Sequence, residues 1–222
     1  MTDTQQPREP FIPALRFSQL TRFYDAVVRF TTHEDRFRAA LVEEASIQPG
    51  QRVLDLGCGT ASSAILAKRV SPCAEIIGVD ADARVLSLAR RKISAAGLEI
   101  ELRQGVASAL PFADGTFDKV ISSLLFHHLN TFSKLQALRE CLRVLRDGGE
   151  LFVADWGKPR TPAAKLGFAV VRALDGFNPT RDNAEGRLPD LIEEAGFSHV
   201  KSVRSKDAPA GTIVLIRASR AR

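Results

Sequence analysis

The chain has 222 residues, 45% of them hydrophobic and 26% charged, which suits one α/β domain with a substantial core. Its formal net charge of +5 permits a nucleic acid or an acidic membrane surface as a partner but requires neither. The 3 cysteines are an odd number without metal-ligand spacing, and no apolar run reaches the ~18 residues of a membrane span. We therefore expect no disulfide framework, no zinc site, and a cytoplasmic protein.

The segment before the first predicted strand divides into two parts. Residues 1–13 are polar and rich in proline, so we expect a disordered tail there. Residues 14–48 are expected to form a helical arm, and residues 49–222 the main domain. The arm is predicted because apolar residues recur at helical spacing. They are Phe23, Val27 and Phe30, followed by Phe37, Leu41 and Ala45.

Short apolar runs then alternate with segments of helical pattern. The predicted strands are 52–56, 75–79, 99–103, 117–122, 150–154, 200–204 and 212–218. The predicted helices are 62–70, 82–96, 132–146 and 189–195, and residues 174–188 are predicted to be a loop over the site. Such alternation predicts a doubly wound, mostly parallel seven-stranded sheet. The last two strands follow each other too closely for a parallel crossover, so the last strand is expected to be antiparallel.

A glycine-rich turn follows the first strand and precedes a helix. Gly57 and Gly59 allow the backbone to approach a ligand closely, and the helix N-terminus offers unsatisfied N–H groups. Asp80 ends the second strand about 20 residues later, where an acid can accept hydrogen bonds from both hydroxyls of a ribose. These features predict a nucleotide-like cofactor at the carboxyl ends of the strands.

Three details disfavour a nicotinamide dehydrogenase. Ser62 occupies the third glycine position of the dinucleotide fingerprint. Asp55 stands two residues before Gly57, where its carboxylate would repel a pyrophosphate but suits an ammonium group. The antiparallel last strand is also foreign to the dinucleotide-binding fold.

Four segments together resemble one family. They are VLDLGCGTA, GVD, LPFADGTFDKVISSLLFHHL and LRVLRDGGELFVADWG. They resemble the class I S-adenosylmethionine (SAM)-dependent methyltransferases, especially the branch with the ubiquinone/menaquinone and phosphatidylethanolamine methyltransferases. The resemblance runs from about residue 24 to the C-terminus. It implies a Rossmann-like methyltransferase fold, SAM as cofactor and methyl transfer to a small molecule. The acceptor group is left open among an amine, thiol, phenol or activated carbon, and a lipid or quinone head-group fits.

The resemblance also assigns the cofactor residues. The methionine part of SAM is placed at Asp55, Gly57, Cys58 and Gly59, the ribose at Asp80, the adenine at Ala81, Gly105, Val106 and Ala107, and the amino group near Ser122 and Ser123. Two positions depart from the family pattern. Val106 replaces the usual aspartate that accepts a hydrogen bond from adenine, and Ala61 stands where glycine is common. Losing one such hydrogen bond is expected to weaken binding about fivefold.

The acceptor side is predicted from residues after strands four and five. His127 and His128 are candidate general bases, and either one could instead brace its loop. Tyr24 is a candidate lid residue, with ordinary helix packing as the alternative. Trp156, Arg181 and Asn183 are expected to contact the acceptor, although Trp156 is equally compatible with the core and Arg181 with an exposed loop. No metal is expected.

Two other functions remain as alternatives. A nucleic-acid methyltransferase is disfavoured because the Pro-Pro or Pro-Cys motifs of those enzymes are replaced here by SSLLFHH, so no nucleic acid is expected. A non-catalytic SAM-fold binding protein is supported by Val106, but the intact Asp55, Gly57, Gly59 and Asp80 oppose it. The chain is expected to be a monomer or homodimer, with peripheral membrane contact allowed.

Overall fold

The computed structural model describes residues 34–221. The predicted tail, most of the predicted arm and Tyr24 lie outside the described residues. The seven strands are β1 (Arg52–Leu56), β2 (Glu75–Asp80), β3 (Glu101–Gln104), β4 (Phe117–Ser123), β5 (Leu145–Gly157), β6 (Ser198–Ala208) and β7 (Gly211–Ser219). They form one sheet in the order β3-β2-β1-β4-β5-β7-β6. Strand β7 pairs antiparallel with both β5 and β6, which confirms the predicted doubly wound sheet with an antiparallel last strand.

The helices are α1 (Glu34–Ala45), α2 (Ser62–Val70), α3 (Ala83–Ala95), α4 (Thr131–Val144), α5 (Pro162–Asp175), α6 (Arg181–Glu185) and α7 (Leu188–Glu194). A short 3-10 helix, Phe126–His128, follows β4. None of the helices within residues 34–221 is both long and apolar enough to cross a bilayer.

Hydrophobic side chains bury both faces of the sheet. One core contains Phe37 and Leu41 of α1 together with Phe168 of α5. The other contains Leu138 of α4 and Leu191 of α7. Because helices cover each face, the carboxyl edge of the parallel strands is the place where polar side chains can meet a ligand. Strand order reverses between β1 and β4, and this reversal marks the binding position at that edge.

Local capping explains several of the predicted boundaries. The side chain of Asp82 accepts a hydrogen bond from the N–H of Arg84 and begins α3, as predicted. Asn130 caps α4 in the same way, through the N–H of Ser133. The third strand lies two residues later than predicted at its start, and β5 is much longer because pairing with β7 continues to Gly157.

The predicted loop 174–188 is wrong in part. Helix α5 extends to Asp175, and residues 181–185 form α6. Thr161 begins α5 by accepting a hydrogen bond from the N–H of Ala164, and Pro162 occupies the first helical turn. These local signals outweigh Gly167 inside the helix.

A buried ion pair holds α6 against α4. The Nζ of Lys134 lies 3.0 Å from Asp182 Oδ2 and donates to the carbonyl of Pro179 at 2.6 Å. Burial lowers the pKa of Lys134, although the hydrogen bond and charge of Asp182 oppose that shift. This attachment places Asn183, the next residue, beside β5.

Candidate functional site

The turn between β1 and α2 is shaped by residues with left-handed backbone conformation. Gly57 has φ +66° and Gly59 has φ +53°, a region that favours glycine. A Cβ atom at Gly59 would meet nothing within 4 Å, whereas one at Gly57 would lie 2.8 Å from Leu125 Cδ1. The turn therefore leaves open space at Gly59 for a ligand to contact the backbone.

Asp80 connects that turn to the end of β2. The N–H of Gly59 donates to one carboxylate oxygen at 2.9 Å, and the N–H of Asp82 donates to the other at 3.0 Å. Each oxygen keeps lone pairs for further donors, which is the requirement for holding two ribose hydroxyls. The structure thus places the predicted ribose acid directly against the glycine-rich turn.

Asp55 is fully buried within β1, and neither of its carboxylate oxygens has a hydrogen-bond partner of normal geometry. Burial raises its pKa to about 7, while the charge of Arg38 and the N–H of Ala64 act in the opposite direction. A buried acid without a full set of partners suits a cationic ligand group, and the ammonium of SAM is such a group. The residues of β1 and β2 therefore fit the expected cofactor.

The segment predicted to contact adenine follows β3 at the same edge. The N–H of Gly105 donates to the carbonyl of Asp80 at 3.0 Å, and Val106 forms an isolated bridge with Ala109. Val106 is 44% exposed. Ala107 is partly buried against the second core. An exposed valine offers an apolar surface for a flat ring but cannot accept a hydrogen bond from it.

Three other predicted positions have structural roles in the turn. Cys58 is buried, and burial raises the pKa of its thiol, so the thiol stays protonated. The N–H of Cys58 donates to the carbonyl of Val79, which connects the turn to β2. Ala61 has φ +62°, so the glycine common at this family position matches a backbone conformation that alanine adopts only with strain. Ala81 accepts a hydrogen bond from the side chain of Gln104 at 3.1 Å.

Ser122 and Ser123 end β4 beside β1. The hydroxyl of Ser122 donates to the carbonyl of Leu56 at 3.0 Å and is fully buried. The hydroxyl of Ser123 lies 3.1 Å from that of Ser63 in α2. Both side chains therefore connect neighbouring elements around the turn between β1 and α2, which is called the cofactor turn below.

The acceptor side centres on a buried dyad of His127 and Asp155. The Nδ1 atom of His127 lies 2.8 Å from Asp155 Oδ1. The N–H groups of Phe126 and Trp156 each donate to the same carboxylate at 2.7 Å. Burial alone would raise the pKa of Asp155, but the charge and hydrogen bond of His127 and the N–H of Trp156 outweigh it and leave the pKa lowered.

This charge state fixes the orientation of the imidazole. Because Asp155 is ionised and accepts hydrogen bonds, Nδ1 of His127 carries the donated hydrogen. When the imidazole is neutral, its lone pair is therefore on Nε2. A histidine held by an aspartate in this way can accept a proton from a bound substrate. The sequence predicts that Asp155, directly after the expected fifth strand, lines the acceptor pocket, but it does not predict the pairing of Asp155 with His127.

His128 and Trp156 surround the dyad. The rings of His127 and His128 lie 3.9 Å apart, and Trp156 meets His127 edge-on at 6.4 Å. Burial and the neighbouring His127 lower the pKa of His128 to about 3, so His128 is neutral at physiological pH. Trp156 is only 1% exposed and packs on Phe168, which places its side chain in the core.

The structure separates the two predicted residues of α6. Asn183 is buried, and its Nδ2 donates to the carbonyl of Trp156 at 2.8 Å and lies 3.4 Å from Asp155 Oδ1. Its own Oδ1 is buried without a partner. Arg181 lies on the surface, where its guanidinium pairs with Glu185 at 3.0 Å. Asn183 therefore belongs to the surroundings of the dyad, and the acceptor contact of Arg181 stays a prediction.

Comparison with known proteins agrees with this geometry. Residues 53–149 match the family described as "Methyltransferase domain". The chain is 33% identical over 202 residues to a demethylmenaquinone methyltransferase of Thermus thermophilus, covering 88% of this chain and 90% of the relative. It is 34% identical over 224 residues to a demethylmenaquinone methyltransferase of Halalkalibacterium halodurans, covering 90% of this chain and 89% of the relative.

Solved structures share the fold at lower identity. A SAM-dependent methyltransferase from Aquifex aeolicus superposes with a TM-score of 0.64 at 20% identity, covering 83% of this chain and 89% of that one. The [4+2]-cyclase SpnF superposes with a TM-score of 0.66 at 20% identity, covering 84% and 80% of the two chains. The same fold thus carries more than one chemistry, and the sequence relatives define the activity here.

The fold and the cofactor turn define a SAM-binding transferase. The chain belongs to the class I SAM-dependent methyltransferases, as its sequence motifs indicate. It is an enzyme that uses SAM to methylate a small molecule, and its sequence relatives within that family carry the name demethylmenaquinone methyltransferase.

Proposed function

We propose that this enzyme methylates a ring carbon of a quinone-type acceptor in its reduced, hydroxylated form. The relatives that span about nine-tenths of both chains are named for demethylmenaquinone, a quinone that lacks a methyl group. A quinone ring carbon is electron-poor, whereas loss of a proton from a ring hydroxyl of the reduced form makes the neighbouring carbons nucleophilic. Methylation of such a carbon would break the bond between the methyl group and the sulfonium sulfur, leaving S-adenosylhomocysteine. The carbon would then lose its own hydrogen as a proton, which restores the aromatic ring. The acceptor therefore needs a proton acceptor beside it.

The dyad of His127 and Asp155 is the observation that carries this proposal. The hydrogen on Nδ1 points to Asp155 at 2.8 Å, so Nε2 has the lone pair that takes the hydroxyl proton. Asp155 keeps the imidazole in this orientation and stabilises the imidazolium after transfer. His128 holds the ring of His127 in contact from one side, and Asn183 braces the carboxylate from the other.

The cofactor residues set the direction of attack. When bound, SAM supplies an electrophilic methyl group on a sulfonium, and it is the alignment of acceptor and methyl that lowers the barrier. Asp80 would hold the ribose, Asp55 the cationic amino group, and Val106 would cover the adenine. Strands β1 and β4 are neighbours, so these groups and the dyad share the carboxyl edge of the sheet.

The test is methylation of a short-chain demethylmenaquinol by purified enzyme with SAM. His127→Asn is expected to lower kcat by roughly 10²–10⁴-fold, the usual contribution of a general base. His199→Gln changes an exposed histidine on β6 and should leave kcat unchanged. Calorimetry with SAM serves as the fold control. An unchanged kcat in His127→Asn with SAM binding intact would remove the dyad from the mechanism.

We also infer that α5 brings the enzyme to a membrane surface. Leu166, Val170 and Leu174 recur at intervals of four residues and are 73%, 56% and 56% exposed, and Phe177, just beyond the end of the helix, is also exposed. Such a face suits an acceptor that resides in lipid. Leu166→Glu combined with Val170→Glu is expected to reduce sedimentation with anionic vesicles several-fold, while activity on a water-soluble short-chain acceptor stays the same. Equal sedimentation of variant and wild type would refute this contact.

A cytoplasmic location follows as a further part of the proposal. The three cysteines all lie within the described residues and are free thiols, which suits a reducing compartment. The monomeric or homodimeric state stays a prediction.

A further inference from the structure

Three side chains with metal-binding atoms meet beside the dyad. The ligand atoms of His127, His128 and Asp175 all lie within 4.8 Å of one another. The two histidines come from the 3-10 helix after β4, whereas Asp175 is the last residue of α5. Two imidazoles and one carboxylate form a donor set that binds first-row divalent metals such as Zn²⁺ and Fe²⁺.

Asp155 gives this cluster a second, independent feature of a metal site. It accepts the hydrogen on Nδ1 of His127, and the other ring nitrogen, Nε2, lies 3.7 Å from Asp175 Oδ2. Histidines that bind metals almost always donate their other ring N–H to such an outer carboxylate or carbonyl, which sets their orientation and raises their basicity. Asp155 is therefore already positioned to orient His127 as a metal ligand.

We propose that His127, His128 and Asp175 bind one first-row divalent metal ion, with Asp155 as the outer partner of His127. Bonds of about 2.0–2.2 Å to a tetrahedral ion place ligand atoms roughly 3.3 Å apart. The most distant pair therefore closes by roughly 1.5 Å when the ion binds. The side chain of Asp175 is 7% exposed, so this movement requires a small shift of the end of α5 relative to the histidines. Three protein ligands leave the fourth position open.

Metal binding and proton acceptance exclude each other at one atom. The ion takes the Nε2 lone pair of His127, which is the same lone pair that takes the acceptor proton in the proposed function. A bound ion therefore lowers methyl transfer, and its removal by a chelator restores it. The metal site itself requires no acceptor, so binding can be measured whatever the enzyme methylates.

The experiment titrates the full chain with Co²⁺, followed by visible absorption, and with Zn²⁺, followed by calorimetry, in the absence of SAM and acceptor. A Cys73→Ser background removes the one exposed thiol, which would bind soft metals. We expect one ion per chain, absorption bands of a four- or five-coordinate Co²⁺ centre, and displacement of Co²⁺ by Zn²⁺.

Variants then locate the ion. His128→Gln and Asp175→Asn are expected to weaken binding roughly tenfold or more, and Asp155→Asn by about 10–100-fold through the outer partner alone. His199→Gln, the matched change at an exposed histidine, should leave binding unchanged. Circular dichroism shows whether each variant is folded. The proposal is overturned if no stoichiometric binding occurs, or if folded His128→Gln and Asp175→Asn bind as tightly as wild type.

Discussion

Two buried aspartates represent the two halves of the site, and their surroundings differ. Neither carboxylate oxygen of Asp55, in the predicted cofactor half, has a hydrogen-bond partner of normal geometry, and burial raises the pKa of Asp55 to about 7. Asp155, in the acceptor half, accepts from His127 and from two backbone N–H groups, and its pKa is lowered. The protein thus supplies the hydrogen bonds of Asp155, whereas the carboxylate of Asp55 can still accept hydrogen bonds from a cationic ligand.

The largest expected effect on stability comes from removing the carboxylate of Asp155. Asp155→Ala leaves the ring of His127 and the N–H groups of Phe126 and Trp156 without their acceptor in a buried place. We expect the free energy of unfolding to fall by about 3–5 kcal/mol, measured by urea denaturation. Glu185→Ala removes an exposed ion pair with Arg181 and is the control, with a loss of about 0.5 kcal/mol or less. Similar losses in both variants would contradict the comparison.

Replacement of Asp55 should raise the free energy of unfolding at neutral pH, whereas replacement of Asp155 lowers it. The pKa of Asp55 rises from an ordinary value of 3.8 in the unfolded chain to about 7 in the folded protein. Its contribution to stability is therefore greatest below pH 4 and is lost as pH rises toward 7. At about 1.4 kcal/mol per pKa unit, this loss is at most about 4 kcal/mol. Asp55→Asn removes the dependence, so we expect the cofactor-free variant to be more stable than wild type above pH 7.

Urea denaturation at several pH values measures this difference in stability. Calorimetry then compares the SAM affinity of the variant with that of the wild type. The variant should gain stability yet bind SAM more weakly, because the carboxylate that pairs with the amino group is gone. SAM affinity of the wild type should fall up to about tenfold per pH unit below 7, since binding requires the ionised acid. A variant that is less stable than wild type at pH 8 would contradict the assignment of Asp55 as an unsatisfied group.

A smaller change separates backbone strain from ligand contact. Gly59 and Gly50 both have positive φ, and a Cβ atom at either would meet no atom within 4 Å. Alanine at each position should cost about 1–2 kcal/mol of stability, from the left-handed conformation alone. Only Gly59→Ala should also weaken SAM binding, because its new methyl group occupies the space beside Asp80. Equal SAM affinity in both variants would show that the ligand does not approach Gly59.

The sequence predicts that the candidate cofactor residues lie together, because they belong to two segments whose strands are neighbours. Asp55, Gly57 and Gly59 lie within five residues, and Asp80 ends the next strand, so strand order alone brings them together. The acceptor half depends on contacts between segments far apart in the chain. His127 is recognisable as a polar residue after β4, but its pairing with Asp155 is set by the geometry of the 3-10 helix.

Helix α5 explains the rest of what the sequence does not predict. Its apolar residues are spread around the helix, and Gly167 lies in its middle, so no single apolar face indicates a helix. Leu166, Val170 and Leu174 are exposed although they are apolar, which a pattern based on burial cannot predict. The proximity of Asp175 to the histidines follows only from where this helix ends.

Gly167 gives α5 a mechanical property. A Cβ atom there would lie 1.8 Å from the carbonyl oxygen of Pro209, in the turn between β6 and β7, so only glycine allows this contact. The helix is therefore in close contact with the hairpin turn at Gly167. Asp175 lies roughly 12 Å away along the axis, and the exposed apolar residues lie on the outer side. A displacement of the hairpin turn would therefore move the exposed apolar residues and the carboxylate beside the histidines together.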